Sequence, residues 1–171
     1  NEHLLVDSQK MCKSLGNFYT IRDLIDKGFS PEAIRDTLLS THYRQKLNFT
    51  LEKLKNSQKS INTISEVKRR VSLINSDKQS VRDFKKTSFN MILEFSKCLK
   101  NDLNISGALG EMFIWINKIF KELDDENISS NGSDNIIKSL NSIDKILGII
   151  HSDDNLAKEQ DKATILLKER K

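Results

Sequence analysis

Proline is almost missing from this 171-residue chain: Pro31 stands alone, and glycine occurs only six times. Collagen-like, Pro-rich and Gly/Ser-linker classes are excluded on that ground. Two cysteines, Cys12 and Cys98, are too few for the multi-bridge framework of a small secreted protein, so a reducing, cytoplasmic setting is the expectation. Long hydrophobic runs are missing too. The longest, around Met112–Phe120, is broken by Asn117 and Lys118 and falls well short of the ~20 residues a bilayer span needs, so no membrane partner is expected. Metal-ligand spacing is absent, with the two cysteines far apart and His3, His42 and His151 scattered, so no metal site is expected in this chain. The chain opens with Asn1 rather than Met and has no charged-then-apolar leader, which reads as a piece of something longer.

The chain that remains is 37% hydrophobic and 30% charged, long enough for one ordinary domain or two small ones. Its charge is unevenly spread. Residues 1–50 carry 7 basic and 6 acidic side chains, residues 51–102 carry 12 and 6, and residues 103–171 carry 9 and 12. The basic clusters of the middle segment are Lys53/Lys55/Lys59, Lys68-Arg69-Arg70 and Lys85-Lys86. Such a stripe is either a set of phosphate contacts or an ordinary solvated lysine-rich face.

Apolar spacing is helical nearly throughout after residue 20. Thr20-Ile21-Arg22-Asp23 has the capping-box form, Ile21, Leu24 and Ile25 share a face, and Gly28 suits the position just past a helix end. Ser30-Pro31-Glu32 restarts a helix with Ser30 as N-cap and Pro31 at the first turn; Ile34, Leu38 and Leu39 are its expected buried face. A long helix is expected after Thr50, with Leu54, Ile61, Ile64, Val67, Val71 and Ile74 on one stripe, broken at Ser76-Asp77. Val81, Phe84, Met91, Ile92, Phe95 and Leu99 make the next stripe. Ser106 is the expected cap of a helix carrying Leu109, Met112, Phe113, Ile116, Phe120 and Leu123, with Trp115 off that stripe on a second packing surface. Asn127 to Ser133 reads as a turn-rich loop, Ile136 to Ile150 as another helix, and Asp161 onward as the start of one more. His3 to Asp7 reads as a short strand entering a Lys/Ser/Gly loop. The expected fold is therefore mainly α: a strand-and-loop segment with two short helices over 1–49, then an antiparallel helical bundle over 50–171.

Chemistry concentrates in Lys10-Met11-Cys12-Lys13-Ser14-Leu15-Gly16-Asn17. Two ammonium groups three residues apart, small hydroxyl and thiol side chains and a glycine make a loop able to clamp a polyphosphate, since lysine is a mobile point charge that follows charge onto a leaving pyrophosphate. Spacing alone equally allows a flexible basic loop. Lys10 to Ser14 resembles the K-M-S-K-S signature of class I aminoacyl-tRNA synthetases, with Cys12 at the middle Ser. Ser14-Leu15-Gly16-Asn17-Phe18 with Thr20-Ile21-Arg22-Asp23 resembles the cysteinyl-tRNA synthetase form of that region. Leu39-Ser40-Thr41-His42-Tyr43-Arg44 and Leu47-Asn48-Phe49 resemble its L-S-x-H-Y-R-x-P-L-x-F segment, with Lys46 in place of Pro, and Asp102-Leu103-Asn104 with Ala108-Leu109 resembles its D-F-N-T-P-x-A-L stretch. Leu147 to Ile150 and Leu166 to Arg170 fit its later helices.

The resemblance implies ATP, with Mg²⁺, and cysteine as substrates, tRNA(Cys) as the nucleic-acid partner rather than DNA, and a reaction through cysteinyl adenylate. It assigns Lys13 and Lys10 to catalysis and Lys10, Met11, Cys12, Lys13 and Ser14 to ATP binding. His42, Arg44, Lys68, Arg69, Arg70, Lys85 and Lys86 become candidate tRNA contacts, and the bundle takes the role of the anticodon-binding-type domain. The family's H-I-G-H-type element, its Zn²⁺ and its cysteine pocket are expected upstream of the signature, in a missing N-terminal catalytic region, so the chain alone is expected to be inactive. The mycothiol-pathway cysteine ligase and a non-catalytic RNA-binding helical module are the alternatives. Cys12, beside two ammonium groups, is either a reactive thiol that ATP protects or a neutral Ser-to-Cys exchange. Cys98 reads as a packed thiol, and His42-Tyr43-Arg44 as either a tRNA contact or a helix terminus meeting its own carbonyls.

Overall fold

The computed structural model describes residues 4–76, 80 and 82–150. His3, the break at Asp77, Val81, His151, the helix expected from Asp161 and the match over Leu166 to Arg170 lie outside the described residues.

Two-residue strands β1 (Leu5–Val6) and β2 (Gln9–Lys10) form an antiparallel hairpin. The helices α1 (Ile21–Asp26) and α2 (Pro31–Leu39) follow, and β3 (Asn48–Phe49) then pairs parallel to β1, giving the order β2-β1-β3. Four long helices complete the chain: α3 (Leu51–Ser72), α4 (Phe84–Lys100), α5 (Ile105–Asp124) and α6 (Ser130–Leu147). The helix α3 packs most extensively against α2 and also against α5 and α6, while α4 packs against α5 and α6. No helix among the described residues is long and apolar enough to cross a membrane.

Helix starts follow from local chemistry. Thr20 Oγ1 accepts from the Asp23 amide at 3.1 Å while the Asp23 carboxylate accepts from the Thr20 amide at 2.7 Å. Ser30, Thr50, Asp83 and Ser129 each accept from the amide three residues on. Each such cap is worth about 1 kcal/mol. Gly28 and Gly148 both take positive φ, where α1 and α6 end. The stripe of α3 is buried as its spacing demands: Leu54, Ile61, Ile64, Val67 and Val71 join Phe84, Met91, Phe95, Met112, Ile116, Ile136, Leu140 and Ile143 in one core.

Five expectations need correcting. The helix α5 is capped by Asn104, whose Oδ1 accepts from the Gly107 amide at 2.9 Å, and Ser106 instead donates its hydroxyl to the Ser40 carbonyl at 2.7 Å. The run 127–133 is only half a loop, because Ser129 caps α6 and residues 130–133 form its first turn. On α2 the buried side chains are Ala33, Ile34, Asp36 and Thr37, whereas Leu38 is 44% exposed. Of the shared face on α1 only Leu24 is buried; Ile21 and Ile25 are exposed, since α1 is too short to bury more than one row. The helix α3 ends at Ser72 with Leu73 as its C-cap, so Ile74 packs against the core from beyond the helix rather than within it. Trp115 is buried, lining a groove between α4 and α5 with Phe84 and Met91.

Asp36, buried on α2 with Ser57 of α3 as its hydrogen-bond partner, titrates above the ordinary carboxylate range because burial penalises its charge; the Ser57 bond pulls the other way and is outweighed. The native state therefore holds this proton at pH values where the unfolded chain has released it. The resulting contribution to stability grows as pH falls from the raised native value toward the ordinary one, and is constant below that. At neutral pH the charge is present in both states and its burial is destabilising in full. Asp36→Asn, which keeps an acceptor for Ser57, is expected to raise the denaturation midpoint at pH 7 and to remove this acid-side gain. Urea titrations of both proteins from pH 4 to pH 7 check it, and parallel pH profiles would refute it.

Candidate functional site

The signature loop leaves β2 at Lys10 and is held by one side chain. Asn17 Oδ1 accepts from the Cys12 amide at 2.8 Å, and Asn17 Nδ2 donates to the Lys10 carbonyl at 3.1 Å, so both strands of the loop are tied. Between them Lys13–Leu15 form a single 3₁₀ turn closed by Gly16 at φ 67, a left-handed conformation where glycine is at no disadvantage. The turn turns Lys13, Ser14 and Leu15 outward, and Lys10 is exposed as well. Neither lysine enters an ion pair among the described residues; Lys13 Nζ lies 5.2 Å from the centroid of the Phe18 ring. A pinned loop thus carries two exposed lysines.

Met11 and Cys12 are half-buried at the base of this loop. Cys12 Sγ and Ser14 Oγ are 2.9 Å apart. That contact above all, then the Ser14 and Leu15 amides and the Lys10 charge, lowers the thiol below its ordinary range. Cys12 is therefore expected to react with iodoacetamide faster than Cys98 at pH 7, its rate rising with pH earlier than that of free cysteine. Timed alkylation followed by peptide mass spectrometry checks this; equal rates would refute it.

A second cluster joins residues that are far apart in sequence. Asp102, in the turn between α4 and α5, accepts from the Tyr43 hydroxyl and from Arg44 Nη2 at 3.1 Å, while Arg44 Nε lies 3.1 Å from its other oxygen. His42 Nε2 is 2.7 Å from the Asp102 carbonyl and His42 Nδ1 is 3.3 Å from the Arg44 amide. A carbonyl only accepts and an amide only donates, so the network fixes the neutral tautomer with hydrogen on Nε2. The Tyr43 hydrogen bond first, then the charge of Arg44, hold the Asp102 carboxyl below its ordinary range. The expected alternative for His42-Tyr43-Arg44, a helix end meeting its own carbonyls, is not what the structure holds: the partners belong to the α4–α5 turn. The two motif segments are each visible in the sequence, but nothing in their spacing brings them together.

The basic stripe divides. Lys68 is 8% exposed on the α3 face that carries Ile64 and Val71, which removes it from the surface set of phosphate contacts. Its position four residues after Ile64 and three before Val71 was the signal. Arg69 pairs with Glu66 at 2.8 Å, and Arg70 pairs with Asp124 at 2.8 Å while lying 5.9 Å from the Phe120 ring centroid. Lys85 and Lys86 are exposed in the first turn of α4. No group of three or more His, Cys, Asp or Glu able to hold a metal ion occurs among the described residues.

Residues 1–59 match the family model described as tRNA synthetases class I (C) catalytic domain. Over 99% of its length the chain is 39% identical to a cysteine–tRNA ligase of Brachyspira hyodysenteriae, covering 36% of that protein. It is 36% identical to the Chlamydia caviae cysteine–tRNA ligase and 39% identical to that of Leptospira interrogans, in each case over 88% of the chain, covering 32% and 33% of those proteins. The chain thus spans about a third of the length of the relatives it matches.

Proposed function

The chain belongs, as a portion, to the cysteinyl-tRNA synthetase family, and from that premise we propose that it supplies the ATP-phosphate loop and tRNA-binding helices of a cytoplasmic enzyme that charges tRNA(Cys) with cysteine. In the proposed first step the cysteine carboxylate attacks the α-phosphorus of ATP and pyrophosphate leaves, giving cysteinyl adenylate. In the second, the terminal ribose of tRNA takes the cysteinyl group and AMP departs.

The observation that carries this reading is the pinned loop with Lys10 and Lys13 exposed and unpaired, inside the segment that matches the class I catalytic model. Lys13, on the outward turn, holds the phosphates as negative charge shifts onto the leaving pyrophosphate; Lys10 assists from the end of β2. Ser14, Cys12 and Met11 shape the loop beneath them. Mg²⁺ arrives with the nucleotide and needs no donor set here, and no described residues fit a zinc site.

On the bundle, Lys85 and Lys86 sit at the positive end of the α4 dipole, where cations disfavour the helix by about 0.3–1 kcal/mol each. Their placement makes a concentrated positive field suited to nucleic-acid phosphate. With Arg69, Arg70, His42 and Arg44 they are the proposed tRNA contacts, and residues 1–49 and 50–171 are the proposed functional halves.

Cysteine attachment to total tRNA, assayed with this chain alone and mixed with a polypeptide bearing the class I nucleotide-binding fold, tests the reading. Activity confined to the mixture is expected. No activity from a properly associated mixture would refute it.

A further inference from the structure

The α4–α5 turn holds a backbone that its own residues do not favour. Asp102 and Leu103 both take positive φ, 53 and 52, and Leu103 is 55% exposed, so no apolar burial compensates it. What the conformation achieves is placement. It sets the Asp102 carboxylate between Tyr43 and Arg44 and its carbonyl against His42, while Ser106 reaches the Ser40 carbonyl from the same turn. With Asp102 and Arg44 side chains 45% and 67% exposed, such a pair adds little to global stability.

From Arg44 the path to the phosphate loop is short and rigid. Four residues on, β3 begins at Asn48; it pairs with β1, which pairs with β2, and β2 ends at Lys10. The Asn48 side chain also accepts from the Ser8 amide at 2.7 Å and donates to its hydroxyl at 3.2 Å, and Lys53 at the start of α3 donates to the Asn48 carbonyl at 3.1 Å.

We propose that Asp102 is a positioning residue for aminoacyl transfer: it clamps the bundle to the segment 40–49 and so sets where bundle-bound tRNA stands relative to Lys10 and Lys13. This rests on the function proposed above. The adenylation step needs only the loop, whereas the transfer step needs loop and bundle in register, and a misplacement of about 1 Å costs up to 10²-fold in rate.

In a full-length cysteine–tRNA ligase containing this chain, Asp102→Ala is expected to lower kcat for cysteine transfer to tRNA by about 10- to 100-fold. ATP–pyrophosphate exchange and the KM for tRNA should change less than about threefold. Tyr43→Phe added to Asp102→Ala should cost little more, because the shared contact is already gone, and Asp102→Asn, which keeps an oxygen acceptor for Tyr43, should recover most of the rate. Tyr43→Phe carries the same test, with a smaller loss, if Asp102→Ala lowers the melting temperature. Equal losses in exchange and transfer, an unchanged transfer rate, or independent multiplication of the Tyr43 and Asp102 effects overturns the assignment. A wild-type enzyme without exchange activity overturns the functional reading itself, and the assignment with it.

Discussion

Lys13→Ala in the full-length enzyme is expected to slow cysteinyl adenylate formation by about 10²–10³, which is the loss of ~3–4 kcal/mol of barrier stabilisation typical of one preorganised electrostatic group. The effect belongs to Lys13 because the 3₁₀ turn and Gly16 point it outward while the Asn17 bonds hold its backbone still, so the ammonium arrives without reorganising the loop. Its ammonium lies over the Phe18 ring, a contact worth about 0.5–1 kcal/mol, which is easily given up to a phosphate. Cysteine affinity should be nearly unchanged, since a phosphate-holding group acts on the transition state rather than on the amino acid. Pre-steady-state ATP–pyrophosphate exchange measures it. A variant that forms adenylate normally and fails only in tRNA transfer would remove Lys13 from the ATP site.

Phe95→Ala is expected to destabilise the 171-residue chain by about 3–5 kcal/mol, against a total of about 5–15 kcal/mol typical of a folded domain. Phe95 is 1% exposed, on the face of α4 that joins the common core, so truncation leaves a cavity that α5 and α6 cannot fill without moving. Phe89, six residues earlier on the same helix, is 65% exposed and supplies the control: Phe89→Ala should stay within about 0.5 kcal/mol. Urea unfolding of the two variants gives the comparison. A loss below about 1 kcal/mol at Phe95 would contradict the packing of α4 described above.

The helical half of the molecule was legible because its signals are local. Thr20 with Asp23, Ser30 with Pro31, Thr50 before an apolar stripe and Gly28 after one each specify a terminus within four residues, and each is found where expected. Errors arose where two local signals competed. Asn104 and Ser106 are both good caps, and what decides between them is the Ser40 carbonyl, contributed by a residue 66 positions away, which takes the Ser106 hydroxyl. The turn-like composition of 127–133 hid a helix start because Gly132 answers a tertiary demand: a Cβ there would stand 2.8 Å from Ser80 Oγ and 3.0 Å from Phe84 Cδ2. The phosphate loop was legible as a string of residue types, and its pinning by Asn17 followed from no rule of spacing. The Asp102 cluster was legible only as two separate motifs, since contacts between residues 58 to 60 apart leave no periodic trace.

The parallel pairing of β1 with β3 bears on how the protein acquires its structure. A hairpin of two-residue strands is too small to persist by itself, and its third strand lies beyond α1 and α2, so that Ser8 meets Asn48 across 40 residues of chain. Closing a loop of that size precedes any gain from the contacts it makes, which is the circumstance that slows folding in proteins of high contact order. The final placement of Lys10 and Lys13, neighbours in sequence, therefore depends on a non-local pairing. A substitution in α1 or α2 that slows their docking delays the maturation of the phosphate loop while leaving its chemistry, once formed, intact.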